Sequence, residues 1–219
     1  MTRSLIYCHG FASGPETSKG RWLAGRLAAL GLELRLPDLN QPSFARLTMS
    51  AMIGRALAEV RACPPGPVGL IGSSMGGAVA LHLAACYGRR EARAVDRLLL
   101  LAPSLDFIAT RRAAMGDEGL ERWRQMGQAV FYNYQRRRPQ PVHYGLIEDL
   151  RQYDAWGTAI DLPIRIIHGL RDDSVPAAQS RRFAASRPNV ALTLVDSEHE
   201  LLDQLELIWA AAVEWFALG

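Results

Sequence analysis

Three kinds of side chain that together can cleave an acyl bond each stand just after an apolar run in this sequence. Ser74 follows Val68-Gly69-Leu70-Ile71, within Gly72-Ser73-Ser74-Met75-Gly76-Gly77. Asp172 and Asp173 follow the run from Pro163 to Gly169, and His199 follows Val190 to Val195. A serine hydroxyl is a poor nucleophile at neutral pH and needs a base. A histidine can take its proton and later return it to the leaving group. A carboxylate behind the ring fixes the tautomer and stabilises the imidazolium. Gly72-x-Ser74-x-Gly76 has the spacing of a nucleophile elbow, a sharp turn between a strand and a helix. A side chain at 72 or 76 would clash with the strand or with the helix. The turn exposes the serine oxygen near the positive end of that helix.

Acyl transfer also needs donors for the oxygen that gains charge. The N–H of Met75, next after the serine, is one. The loop His9-Gly10-Phe11-Ala12-Ser13-Gly14-Pro15 follows the apolar run Ser4 to Cys8, and the N–H of Phe11 is the nominated second donor. The other histidines read differently. His82 and His168 are expected to pack, His9 to support the loop, and His143 to lie in an insertion. Asp38 reads as a turn former.

The elements that must position these groups alternate along the chain. Helices are expected near 18–30, 48–62, 78–86, 177–186 and 202–216, with apolar residues at helical spacing, as in Met52, Ile53, Ala56, Leu57 and Val60. Strands are expected at 4–8, 32–36, 68–71, 97–103, 163–169 and 190–195. The run Leu98 to Leu101 has no polar alternation, which marks a strand covered on both faces. The fold expected is α/β: a mostly parallel, doubly wound sheet of about six strands in one domain over 1–219. Ligands of such sheets gather at the carboxyl ends of the strands, where Ser74, the aspartates and His199 all fall.

Residues 107–158 break that rhythm. Leu120, Trp123, Gly127, Val130 and Tyr134 recur at helical spacing, and this segment holds eight of the 17 aromatic residues. It is expected to be a helical lid over Ser74. Phe11, Met75 and Trp123 are the expected apolar pocket wall.

Composition bounds the rest. At 219 residues, 49% hydrophobic and 21% charged, the chain is an ordinary globular protein with a net charge of +3, too small to argue for nucleic acid. No apolar run reaches the ~20 residues of a membrane span. A strand beginning within four residues of the N-terminus leaves no room for a signal peptide. Cys8, Cys63 and Cys86 have no metal-like spacing and are expected as reduced, buried thiols in a cytoplasmic protein. Neither metal nor cofactor is expected. The expected partner is a small-molecule ester, without nucleic acid or membrane.

The sequence resembles the α/β-hydrolase family, and most of all the small bacterial YqiA-type serine esterases. The matching pieces are Leu5 to Phe11 with Pro15 and Lys19, Gly69 to Gly77, His168-Gly169-x-x-Asp172-x-x-Val175-Pro176, and Glu198-His199. The resemblance implies ester hydrolysis through an acyl-enzyme, with Ser74 as nucleophile, Asp172 as acid, His199 as base, and the N–H groups of Phe11 and Met75 as the oxyanion hole. The insertion is longer than in that type. Thioester or C–C bond hydrolysis on the same residues is the alternative chemistry, and a non-catalytic ligand-binding module is a third reading.

Overall fold

The structure is a computed structural model that describes residues 3–87 and 95–218. Six strands form one sheet, interleaved with helices: β1 (Ser4–Cys8), α1 (Ser18–Ala28), β2 (Leu34–Arg35), α2 (Met49–Ala62), β3 (Val68–Ser73), α3 (Met75–Tyr87) and β4 (Val95–Leu101). After an insertion come β7 (Ile164–Gly169), α6 (Ala178–Ala185), β8 (Val190–Val195) and α7 (Leu205–Phe216). The sheet order is β2-β1-β3-β4-β7-β8, and every pairing is parallel. The chain leaves β1 for one edge and returns to β3 on its other side. Order reverses there, so a crevice opens between the carboxyl ends of β1 and β3.

Side-chain alternation sorts the core. Leu5, Tyr7, Ile71, Leu99, Leu101 and Ile167 meet Leu23 and Leu27 of α1 and Ile208, Ala212 and Phe216 of α7. Ile6, Cys8, Leu70, Leu98, Leu100, Ile164 and Ile166 meet Met52, Ile53 and Ala56 of α2, Val79 of α3 and Phe183 of α6. Leu98 to Leu101 are each fully buried, two on each face. Each contributes roughly 1.5–3 kcal/mol of burial. Thr17 and Thr48 cap α1 and α2 by accepting from the N–H groups of Gly20 and Ala51.

The insertion differs from the all-helical lid expected. It holds α4 (Phe107–Met126), an antiparallel hairpin of β5 (Gln128–Asn133) and β6 (Arg138–His143), and α5 (Gly145–Leu150). The helical stripe from Leu120 ends at Gly127, which caps α4 in the left-handed region with φ 70°. Val130-Phe131-Tyr132 then extends as a strand, as β-branched and aromatic residues favour. Val130 and Tyr134 thus sit on and beside a hairpin, not on a helix face. The N–H of Tyr134 donates to the Ala12 carbonyl at 2.8 Å, tying the hairpin to the loop after β1. Cys8 and Cys63 are buried as expected, but Cys86 is exposed near the end of α3. Among the described residues, no helix is long and apolar enough to cross a membrane.

Candidate active site

The turn after β3 is as tight as its glycines imply. A Cβ at Gly72 would lie 2.5 Å from the Gly76 carbonyl, and one at Gly76 would lie 2.1 Å from that of Cys8. Ser74 sits in the left-handed region with φ 54°, a conformation that costs a non-glycine residue on the order of 1–3 kcal/mol. Its N–H donates to the Leu101 carbonyl, and its own carbonyl accepts from the N–H groups of Gly77 and Ser104. These bonds hold the strained turn from three sides. Met75 opens α3, so its N–H has no intrahelical acceptor. Ser73 points elsewhere: it is buried and reaches the Tyr7 hydroxyl.

The end of β8 brings His199 to the serine. His199 Nε2 lies 3.1 Å from Ser74 Oγ, and Nδ1 lies 2.7 Å from Asp172 Oδ2. Of the two candidate aspartates, Asp172 is the one in contact. Asp173 lies at the cleft rim and accepts from the Ser174 hydroxyl. Asp172 Oδ1 accepts the N–H groups of Ser174 and Val175, at 3.0 and 2.7 Å. Burial works to raise its pKa, but hydrogen bonds from His168, His199 and Val175 outweigh it and hold the carboxyl well below the usual range. Asp172 is therefore ionised at neutral pH.

His168 is more than a packing residue. Fully buried, it brings Nε2 to 3.1 Å from Asp172 Oδ2 and 2.9 Å from the Val175 carbonyl, and Nδ1 to 2.7 Å from Ser180 Oγ. Two acceptors at Nε2 place the proton there, and Ser180 then donates to Nδ1. The spacing of four positions from His168 to Asp172 was the available sequence signal. Lys19, the chain's one lysine, also joins the site: its ammonium donates to the Glu200 carbonyl at 2.5 Å, next to His199. Burial lowers its pKa, partly offset by Glu200. His9 supports the loop as expected, accepting from the Leu39 N–H through Nε2 at 2.9 Å. His82 packs against the Tyr153 ring.

A cleft of about 760 Å³ opens over Ser74 and His199. Phe11, Phe107 and Phe131 line it, with the Phe11 ring 5.2 Å from each of the other two. The Phe11 side chain thus stands where the sequence put it. Those of Met75 and Trp123 do not. Met75 is 1% exposed and faces the core. Trp123 is also 1% exposed; its indole donates to the Val142 carbonyl at 2.9 Å and packs against Phe131 and Tyr144 behind the wall. An indole with a satisfied N–H inside a helix–hairpin joint packs the lid rather than facing a ligand. The cleft is also more charged than the aromatic wall suggests, since Lys19, Arg21, Arg111, Arg137, Glu16 and Glu198 border it.

Solved structures share this architecture. A putative hydrolase from Agrobacterium vitis S4 superposes with a TM-score of 0.82 at 24% identity, covering 98% of this chain and 87% of its own. Est1E from Butyrivibrio proteoclasticus, with ferulic acid bound, gives 0.80 at 19% identity over 99% and 88%. Mouse alpha/beta hydrolase domain-containing protein 10 gives 0.78 at 20% identity over 99% and 90%. At such identities the likeness establishes the fold. No curated protein matches the chain. The profile of the uncharacterised protein family UPF0227 matches residues 4–213, from the first strand into the last helix. With that match over nearly its whole length, the chain belongs to the UPF0227 family, and the sheet and elbow described above give it the α/β-hydrolase fold.

Proposed function

We propose that the protein hydrolyses carboxylic esters of small to medium acyl chains through an acyl-enzyme on Ser74. The observation that carries this reading is the hydrogen-bonded chain from Ser74 Oγ through both nitrogens of His199 to Asp172. Asp172 is ionised, so His199 Nδ1 carries the proton and Nε2 is free to accept from Ser74. Ser74 Oγ attacks the ester carbonyl as its proton passes to Nε2. The N–H groups of Phe11 and Met75 stabilise the oxyanion. The C–O bond to the alcohol then breaks, and the alcohol leaves with the proton from Nε2. Water, activated by the same nitrogen, releases the acid. A thioester would follow the same steps with a thiol leaving group.

A fluorophosphonate probe tests the assignment. The expected label is on Ser74, located by mass spectrometry. Ser74→Ala abolishes both labelling and turnover of p-nitrophenyl butyrate while the protein stays folded by circular dichroism. Ser73→Ala keeps measurable activity. A label on Ser73, or none on the folded wild type, refutes the elbow assignment.

A further inference from the structure

Three buried side-chain polar atoms lack a hydrogen-bond partner among the described residues: Arg26 Nε, Ser104 Oγ and Arg111 Nε. Arg26 is accounted for, because another nitrogen of its guanidinium pairs with Glu206. The other two belong to one wall of the cleft that holds Ser74 and His199. Ser104 is 3% exposed, and its N–H donates to the Ser74 carbonyl at 3.0 Å, so its hydroxyl is anchored beside the elbow. Arg111 lies four residues beyond Phe107 on α4, with its guanidinium 5.3 Å from that ring.

Charge makes this wall unusual. Burial lowers the pKa of Arg111, and among the described residues no carboxylate raises it again. The acidic residues of the cleft, Glu16, Asp173, Glu198 and Glu200, come from the loops after β1, β7 and β8. Thr110, also on this wall, is by contrast satisfied: its hydroxyl donates to the Asp106 carbonyl and accepts from Gln179. Arg111 is half-buried, with its Nε shut off from solvent; a cation so placed without an anion is costly, and a buried hydroxyl without a partner adds to the cost. The Phe107 ring offsets part of it. A bound anion would satisfy both groups at once, with a charge-assisted hydrogen bond to the guanidinium and a second from the hydroxyl.

We propose that Ser104 and Arg111 form a subsite for a carboxylate carried by the substrate, so that the preferred esters are anionic ones. This rests on the ester-hydrolase reading above. It is tested with length-matched pairs: monoethyl succinate, glutarate and adipate against ethyl butanoate, pentanoate and hexanoate, with acid release followed by titration. A second pair, 4-carboxyphenyl acetate against phenyl acetate, places the charge on the alcohol side. The expected result is a kcat/KM at least about tenfold higher for the charged member of one pair. Arg111→Gln reduces that ratio toward one, Arg111→Lys keeps part of it, and Ser104→Ala lowers it by a smaller factor.

Calorimetric titration of wild type and Arg111→Gln with glutarate, and separately with inorganic phosphate, reads the subsite without turnover. Saturable glutarate binding that Arg111→Gln removes supports the proposal even if no ester is cleaved, in which case the hydrolase reading alone fails. Turnover without preference for either charged ester refutes the subsite, as does a preference that survives Arg111→Gln. Phosphate binding without glutarate binding also overturns the carboxylate assignment.

Discussion

Asp172 accepts four hydrogen bonds on two oxygens, from His168, His199 and two backbone N–H groups. Every one of these partners is a donor. An amide in its place would turn its NH2 toward at least one of them, so the arrangement selects a carboxylate over its isostere. Asp172→Asn is expected to lower kcat by roughly 10³–10⁴, the scale on which a misdirected histidine tautomer acts. Asp173→Asn, altering a rim residue bonded to Ser174, is expected to change kcat by less than about threefold. Steady-state kinetics on both variants with p-nitrophenyl butyrate check this. Equal losses would mean that the geometry at 172 is not used in the reaction.

At the scale of elements, the α4–hairpin joint and α3 each make a prediction. Trp123 anchors α4 to β6, with Phe131 between it and the cleft. Trp123→Ala should cost about 3–5 kcal/mol of stability, read from a urea melt, and leave the preferred acyl chain length unchanged. A moved optimum with intact stability would put the indole in the pocket. On α3, burial pushes the pKa of His82 down to about 4, with Asp154 opposing the shift. The unfolded chain takes up this proton near pH 6.5, whereas the folded protein refuses it until about pH 4. Stability is therefore lost as pH falls through that window, by up to roughly 3 kcal/mol from this group. His82→Gln should show a smaller fall in the urea midpoint between those pH values than the wild type. Parallel curves would mean that the imidazole is hydrated or paired.

For the whole molecule, one cleft of about 760 Å³ sits between the sheet's carboxyl edge and the inserted segment. Its aromatic part, Phe11, Phe107 and Phe131, gives an apolar chain a place to bury, worth ~0.8 kcal/mol per methylene while room lasts. Charged side chains border the rest of the cleft, so that gain ends where the chain passes the aromatic part. We expect kcat/KM to rise from acetyl to butyryl or hexanoyl esters and to fall beyond roughly eight carbons. A rise continuing through palmitoyl esters would show that the α4–hairpin segment opens a tunnel.

Local physics let the sequence determine the sheet and the ends of its strands. Apolar runs such as Leu98 to Leu101 bury on both faces, and Gly72 and Gly76 permit only a tight elbow at Ser74. Because loops at the carboxyl ends of parallel strands converge, the order Ser74, then Asp172 or Asp173, then His199 implied that the three kinds of side chain meet, and the structure chose Asp172. Tertiary structure decided what depends on neighbours distant in the chain. The helical spacing from Trp123 to Tyr134 was broken by Gly127 and by pairing with 138–143, which no local period encodes. Only packing could show that Trp123 lies behind the wall and that His168 reaches Asp172. The same holds for Arg111, which no carboxylate among the described residues meets. Such facts are set by which surfaces the folded chain brings face to face, and residue types in a row do not carry them.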